Sequence, residues 1–349
     1  MAQPLDAAAS WRSTGRPVRF GRICRWLAAA ACVAAQPVLA AEPSAPAIDP
    51  ALVLLQKIQG AARQLDYAGV FTYQQGPILQ STRIVHVVDG TGERERLEML
   101  DGAPGEFLRH NDDIERLVPE HKIVVLETRR TDRFPGLLIT DGRNIPAHYS
   151  VRTSKRPNRV AGRECVMIEL MPKDHERYGH RYCSDAKTDL LLKSQTLSPG
   201  GGVIDQISFT TLKVGESVQP SQLEPHWNTK GWKVLQAPMQ PVDLVKLGWR
   251  IPAPAGFVDV TQVQRPMKAG KKVNQLVLSD GLAAISVFIE PFDKAHEHAL
   301  PKGAVHKGAL NVYGTRIGDH WFTVVGEVPA RTLRDIAKRT EYVPLASSR

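Results

Sequence analysis

The stretch 70–126, VFTYQQGPILQSTRIVHVVDGTGERERLEMLDGAPGEFLRHNDDIERLVPEHKIVVL, decides the fold. Six runs of strand-forming residues lie in it: Val70 to Gln74, Leu79 to Val88, Glu93 to Leu100, Glu106 to His110, Ile114 to Val118 and Lys122 to Leu126. Turn formers separate them at Gly76-Pro77, Asp89-Gly90, Asp101-Gly102, Asn111-Asp112-Asp113 and Pro119-Glu120. Short strands between regularly spaced turn signals describe an antiparallel meander.

Upstream, Asp49 and Pro50 are a helix start, with Asp49 as N-cap and Pro50 at the first helical position. Ala51, Leu55, Ile58, Ala62 and Leu65 recur at helical spacing and mark the face that this helix buries. Downstream, residues 129–158 are basic and interrupted by proline, and predict a loop or short helix over one sheet edge. The meander resumes in a hairpin around the two cysteines, then in Leu190 to Thr196 and Val203 to Leu212. Nine to eleven strands result, enough for the sheet to curl around the helix. The fold class is α+β and β-rich.

Two of the four cysteines, Cys24 and Cys32, lie in the first 40 residues, which leaves Cys165 and Cys183. Pairing their strands symmetrically about Asp174 sets Cys165 opposite Cys183, within disulfide reach. The same register puts Val166, Ile168 and Leu170 on the other, apolar face, opposite Tyr182, His180 and Tyr178. A redox-active dithiol is the alternative, but such pairs favour a Cys-x-x-Cys spacing at a helix start.

The chain opens with an address. Arg12, Arg16, Arg19, Arg22 and Arg25 form a basic region, Leu27 to Ala35 a short apolar run, and Val38-Leu39-Ala40 a cleavage signal, so 1–40 reads as a signal peptide cut after Ala40. The apolar run is too short to span a bilayer. Of 45 basic and 36 acidic side chains, five arginines and Asp6 fall in that segment. The remaining 40 and 35 give a net charge of about +5, compatible with an anionic partner. No basic run interleaved with aromatics points to nucleic acid.

Residues 46–215 form the large domain, and the polar, proline-bearing 216–241 a linker. A smaller α+β domain, 242–343, follows. Its strands are Val273 to Leu278, Leu282 to Glu290, Gly308 to Ile317 and His320 to Val325, and a closing helix after Pro329 turns Leu333, Ile336 and Ala337 inward.

No spacing in the chain forces catalytic groups to converge. His296 and His298 with nearby acids could be imagined as a metal site, but lie in a polar inter-strand segment. His175 and His180 flank the hairpin turn and read as solvated. Gly200-Gly201-Gly202 precedes a strand, not a helix, so it is a turn rather than a phosphate cradle. No catalytic, cofactor or metal residues are expected, and no cofactor. A curved sheet holding a helix can instead enclose an apolar cavity. Val70, Ile84, Leu97, Leu108 and Leu117 are its candidate lining.

Asp66-Tyr-Ala-Gly-Val-Phe-Thr-Tyr73, Arg83-Ile-Val-His86, Glu95-Arg-Leu-Glu98, Leu100-Asp-Gly102 and Arg109 resemble, in order and spacing, the opening of the RseB/MucB family. Leu278-Ser-Asp-Gly-Leu282 with Phe288, Gly308-Ala309 with Val312-Tyr313, and Thr323-Val-Val-Gly-Glu-Val-Pro329 extend the resemblance through the second domain. These are periplasmic negative regulators of sigma-E, the envelope-stress sigma factor. The resemblance implies a large LolA/LppX-like half-open antiparallel β-barrel with covering helices, plus a small C-terminal domain of the family's own type. It implies, as partner, the periplasmic domain of a transmembrane anti-sigma factor of RseA/MucA type, held and shielded from regulated proteolysis. Lipopolysaccharide or lipidated envelope components would release it. It supplies no catalytic residues and no assignment for the cysteines, and the oligomeric state is left open. The alternative is a periplasmic lipid or lipoprotein carrier of LolA type, which would not need the second domain.

The cysteine pairing has a measurable consequence. Replacing both Cys165 and Cys183 by serine should lower stability by about 3 kcal/mol, read as a shift in urea unfolding. An unshifted curve would mean two free thiols.

Overall fold

A computed structural model describes residues 50–128, 134–137, 141–215, 218–236, 239–266, 272–294 and 303–344. The signal segment with its cleavage site at Ala40, the N-cap Asp49, and the pair His296 and His298 lie outside the described residues. Helix α1 (Pro50–Gln64) buries Leu52, Leu55, Ile58, Ala61 and Ala62, one stripe of a 3.6-residue repeat.

The larger sheet has twelve strands: β1 (Tyr67–Gln75), β2 (Ile78–Asp89), β3 (Gly92–Met99), β4 (Glu106–His110), β5 (Asp113–Val118), β6 (Ile123–Thr128), β7 (Tyr149–Val160), β8 (Arg163–Pro172), β9 (Gly179–Asp185), β10 (Leu191–Leu197), β11 (Val203–Val214) and β12 (Lys233–Gln236). They run in the order β12-β6-β5-β4-β3-β2-β1-β11-β10-β9-β8-β7. The end strands β12 and β7 do not pair with each other among the described residues, so the sheet is a half-open barrel rather than a closed one. All its pairs are antiparallel except β12 with β6.

Two strands depart from the sequence expectation. β7, which follows a short helix α2 (Ile145–His148), occupies part of the stretch read as a loop or short helix, because Pro157 argues against a strand in a sheet interior. It is tolerated here on an edge, inside a bulge between Ser154 and Asn158. β12 arises from the stretch read as a linker, 216–241, which also carries a short 3₁₀ turn, Pro220–Leu223.

α1 defines the inner face of this sheet. Ala61 and Ala62 join Tyr67, Phe71, Ile84 and Phe209 in one buried cluster, while Leu55 and Ile58 join Ile168, Leu170, Tyr182 and Leu191 in another. On the outer face, Val218 and Leu223 cover Ala68, Val85 and Val87. There Arg96 donates to Glu106 at 2.5 and 3.0 Å and to the Gln222 carbonyl at 3.2 Å, which ties the 3₁₀ turn to the sheet.

The cysteine hairpin pairs two residues further along than expected. It centres on His175, so Ile168 faces Tyr182, Leu170 faces His180, Cys165 faces Asp185 and Cys183 faces Met167. Asp174 sets this turn by accepting from the Glu176 amide at 2.9 Å and the Arg177 guanidinium at 3.1 Å. The cysteines become a diagonal pair, still joined as a disulfide with Cα atoms 5.4 Å apart. Both are buried, whereas Val166, expected on the apolar face, is 38% exposed.

The rest of the chain forms β13 (Gln240–Pro241), β14 (Trp249–Arg250), β15 (Val258–Pro266), β16 (Lys272–Ser279), β17 (Ala284–Pro291), β18 (Gly303–Lys307), β19 (Leu310–Ile317), β20 (His320–Gly326), α3 (Ala330–Arg339) and β21 (Glu341–Tyr342). Seven of these strands make a second sheet, β13-β15-β16-β17-β20-β19-β18. α3 buries Leu333, Ile336 and Ala337 against Leu276, Ile285, Val287, Phe322 and Val324.

A buried polar seam joins the two sheets. The Arg177 side chain is fully buried; its Nη1 donates to Asp280 Oδ2 at 2.7 Å and its Nη2 to the Ala255 carbonyl. Tyr149 donates its hydroxyl to the same Asp280 oxygen at 3.0 Å, and the guanidinium sits over the Phe257 ring. Asn311 donates to Tyr178 at 3.0 Å, the Ala309 amide to Asp205 at 2.8 Å, and Thr332 to the Glu176 carbonyl at 3.1 Å. The approach is close at Gly308, where φ is +58° and an added Cβ would stand 2.1 Å from Asp205 Oδ1.

Removing one partner of a buried ion pair strands the other charge. Arg177→Ala should therefore destabilise the protein by about 3–5 kcal/mol, seen as an earlier first transition in urea. A wild-type unfolding curve would show that the seam carries no stability.

Candidate functional site

Between the inner face and the second sheet lies a cavity of about 670 Å³, within the range of ligand pockets. Strand register explains its lining. Phe71 pairs with Thr82, Thr82 with Met99, and Leu97 with Phe107, so all five side chains project to one face. Phe71, Leu97, Met99, Phe107, Phe134 and Leu137 give this end of the cavity an apolar wall.

The other end is polar. Tyr182, Ser194, Ile207 and Tyr73 are opposed in succession across β9, β10, β11 and β1. One step along, His180, Thr196, Asp205 and Gln75 form a parallel row. Tyr73, Tyr182, His180, Ser194 and Thr196 all line the cavity, and Ser286 and Glu327 face them from the second sheet's side. Gln75 donates to the Tyr73 hydroxyl at 2.8 Å.

Burial shapes the electrostatics at this end. It pushes the His180 imidazole down to about 4, with the charge of Asp280 opposing, so the ring is neutral in ordinary buffers. Burial also raises Asp205 and Glu327 above the usual carboxyl range, and Asp205 adds to the effect on Glu327. Glu327 borders the cavity with an exposed side chain. Tyr73 is raised by burial and then by the charge of Asp205. No lysine or arginine lines the cavity among the described residues.

Of the five lining residues expected from sequence, Leu97 alone borders the cavity. Ile84 lies on the same face but is fully buried in the core beneath α1. Val70, Leu108 and Leu117 occupy the outer face: Val70 pairs with Arg83, Leu108 with Arg96, and Leu117 with Glu106. A one-residue difference in register exchanges faces, and the inward positions belong to Phe71 and Phe107 instead. His180 is likewise buried rather than solvated, being drawn in when Leu170 pairs with it. The polar row and Glu327 were not anticipated. The available signal was polar residues at inward strand positions, readable only once the register is known.

Glu98, Glu106 and His226 bring three ligand atoms within 4.8 Å of one another on the outer face. Arg96 already occupies this cluster, 2.5 Å from Glu106, 3.1 Å from Glu98 and 2.8 Å from His226 Nδ1. Its cation meets the charge that a metal would otherwise meet.

A helix-bearing half-open sheet with a second sheet across its cavity defines a binding protein. The sequence matches the family model described as the MucB/RseB N-terminal domain over residues 50–227 and that of the MucB/RseB C-terminal domain over 244–341; the chain belongs to the MucB/RseB family, whose members are regulatory proteins and not enzymes. It is 29% identical to the "sigma factor AlgU regulatory protein MucB" of Pseudomonas aeruginosa, over 81% of this chain and 88% of that protein. It is 23% identical to the "sigma-E factor regulatory protein RseB" of Escherichia coli K12, over 83% and 90% respectively. A crystal structure of MucB in complex with MucA(peri) is similar with a TM-score of 0.63 at 28% identity, covering 84% of this chain and 99% of that one. No helix among the described residues is long and apolar enough to cross a membrane.

His180 gives stability a specific pH dependence. The unfolded chain takes up a proton near pH 6.5 that the folded one refuses until about 4, so the His180 contribution is full above 6.5 and is lost as pH falls toward 4. Asp205 and Glu327, being raised, act in the opposite direction, but they do so equally in a His180 variant. Between pH 7 and 4 the wild type should therefore lose about 3 kcal/mol more than His180→Phe in urea unfolding. Parallel profiles would mean that His180 is accessible to protons in the folded state.

Proposed function

We propose that this protein is an exported regulator that binds the periplasmic domain of a membrane anti-sigma factor of the RseA/MucA type. By holding that segment it shields it from regulated proteolysis and keeps a sigma-E-type envelope stress response repressed. The observation that carries this reading is the agreement of both family domains with the chain, together with the similarity of the whole to MucB bound to MucA(peri). The export signal at 1–40, with cleavage after Ala40, supports a periplasmic location. In this reading residues 46–215 and 242–343 act as two domains joined by 216–241, and the cavity between their sheets is the site at which lipopolysaccharide or another lipidated envelope component triggers release. The cavity's apolar wall at Phe71, Leu97, Met99 and Phe107 supports that role. A pure lipid carrier would have no use for the second sheet and its buried seam.

Calorimetry with the purified mature chain and the anti-sigma periplasmic segment from the same genome tests the proposal. Binding with a Kd of about 1 µM or tighter, weakened at least about tenfold when lipopolysaccharide is added, is the expected result. A folded, oxidised protein that ignores the segment would overturn the regulator and favour the carrier.

A further inference from the structure

Three turns and the strand ends beside them stand together at one end of the larger sheet, and every residue in them is exposed: 76–80 between β1 and β2, 99–104 between β3 and β4, and 199–203 between β10 and β11. Their large side chains are apolar, with Leu79 61% exposed, Val203 48%, Met99 45%, Ile78 39% and Leu100 38%. Asp101 is the one ionisable residue among these sixteen, although 23% of the chain is charged and an average stretch of that length would hold about four. A contiguous apolar patch of this kind marks contact with a protein or a membrane.

The turns also keep their own backbone polar groups occupied. Pro77, Pro104 and Pro199 have no amide hydrogen to satisfy. Met99 donates its amide to the Gly105 carbonyl and Leu100 to the Ser81 carbonyl, both at 3.0 Å, while Asp101 Oδ2 accepts the Ser81 amide at 2.5 Å. In the third turn Gly201 donates to the Ser198 carbonyl at 2.9 Å and Gly202 to the Ser198 hydroxyl at 3.1 Å. Donors spent in this way do not have to give up water when the turns enter an apolar medium.

Shape decides between a protein and a membrane. β3, β2, β1, β11 and β10 are consecutive in the sheet and each has both edges paired, so a partner strand cannot add at this place. The turns are projecting tips and not a groove, and two copies meeting tip to tip would bury little area. A fluid acyl layer closes around a projecting apolar tip where a folded surface does not. We propose that this end of the sheet is a membrane-docking edge: Ile78, Leu79, Met99, Leu100 and Val203 enter the boundary between headgroups and acyl chains of a lipid bilayer. Gln80 and Met99 also line the cavity, so docking brings the cavity's rim to the membrane surface. The inference depends neither on the anti-sigma reading nor on what the cavity holds.

The test floats the full mature chain with vesicles of phosphatidylcholine alone, and of phosphatidylcholine mixed with phosphatidylglycerol, with no anti-sigma segment present. Binding to the uncharged vesicles that survives about 0.5 M salt is the expected result, because apolar insertion is not screened. The double variant Leu79→Ser with Leu100→Ser alters two exposed side chains, should keep the wild-type melting profile, and should lower the partition constant about tenfold. On an otherwise unaltered chain, an NBD fluorophore at Leu79→Cys should brighten and shift to the blue when vesicles are added. The same fluorophore at Thr91→Cys, exposed in the turn between β2 and β3 at the opposite end, should not respond. Failure to bind either vesicle overturns the inference, and so does an equal response at the two labels. Binding that requires phosphatidylglycerol, disappears in salt and is unchanged in the double variant also overturns it, since that is adhesion through surface charge. The anti-sigma segment is absent from every sample, so each of these results leaves the regulator reading as it stood.

Discussion

The arrangement of the two sheets depends on one buried ion pair. Arg177 and Asp280 both have fully buried side chains, and removing two charges from water is costly unless every remaining donor and acceptor is met. Here they are met closely. Arg177 reaches Asp174, Asp280 and the Ala255 carbonyl, while one oxygen of Asp280 takes the Tyr149 hydroxyl and the other the amides of Leu282 and Ala283. The pair therefore does two things at once. It closes the turn between β16 and β17, and it fixes that turn on the hairpin between β8 and β9. A hydrophobic contact of the same area would tolerate sliding; a guanidinium with this many directed partners does not.

Once that turn is fixed, the beginning of β17 and the end of β20 must hang over the inner face of the larger sheet. Leu282, Ala284, Ser286 and Val325 then become cavity wall. Gly326 lets the second sheet form there, because a Cβ would stand 2.7 Å from the Ala284 carbonyl oxygen. On the other side α1 is pinned by a second polar network. Arg63 reaches Glu93 at 2.9 Å, Arg109 reaches Glu93 at 2.8 Å, and His86 stacks on Tyr67 while contacting the Leu65 carbonyl through Nδ1 at 2.8 Å. The segments by which the sequence resembles its family, around Tyr67, His86, Glu95 and Arg109, thus hold the helix to the sheet.

The meander from Val70 to Leu126, the helix from Pro50 and the closing helix with Leu333 and Ile336 were legible because each rests on local periodicity and turn chemistry. What escaped was register. Inner and outer faces of β1 through β5 are separated by a single residue, so Val70 and Leu108 look as suitable as Phe71 and Phe107 until the cross-strand partners are known. The cysteine pair survived a two-residue slip because disulfides bridge diagonal as well as opposite positions within the same Cα separation. Arg177 gave no signal at all, since a basic residue closing a polar turn ordinarily points to water. Only its partner 103 residues away explains its burial.

The same contrast between local and cross-strand information explains why the cavity is not filled. A sheet face that packs as core carries apolar residues at each inward position, as Ile84, Ile168 and Leu170 do beneath α1. Beyond the helix, inward positions on β10 and β1 turn to Ser194, Thr196 and Tyr73. Packed dry against another sheet, such groups would lose hydration without gaining partners. They persist where water or a ligand can reach them, and the second sheet answers with Ser286 and Glu327 rather than with leucine. The change from hydrocarbon to hydroxyl along one inner face is thus the mark left in the sequence by a space that the fold keeps open.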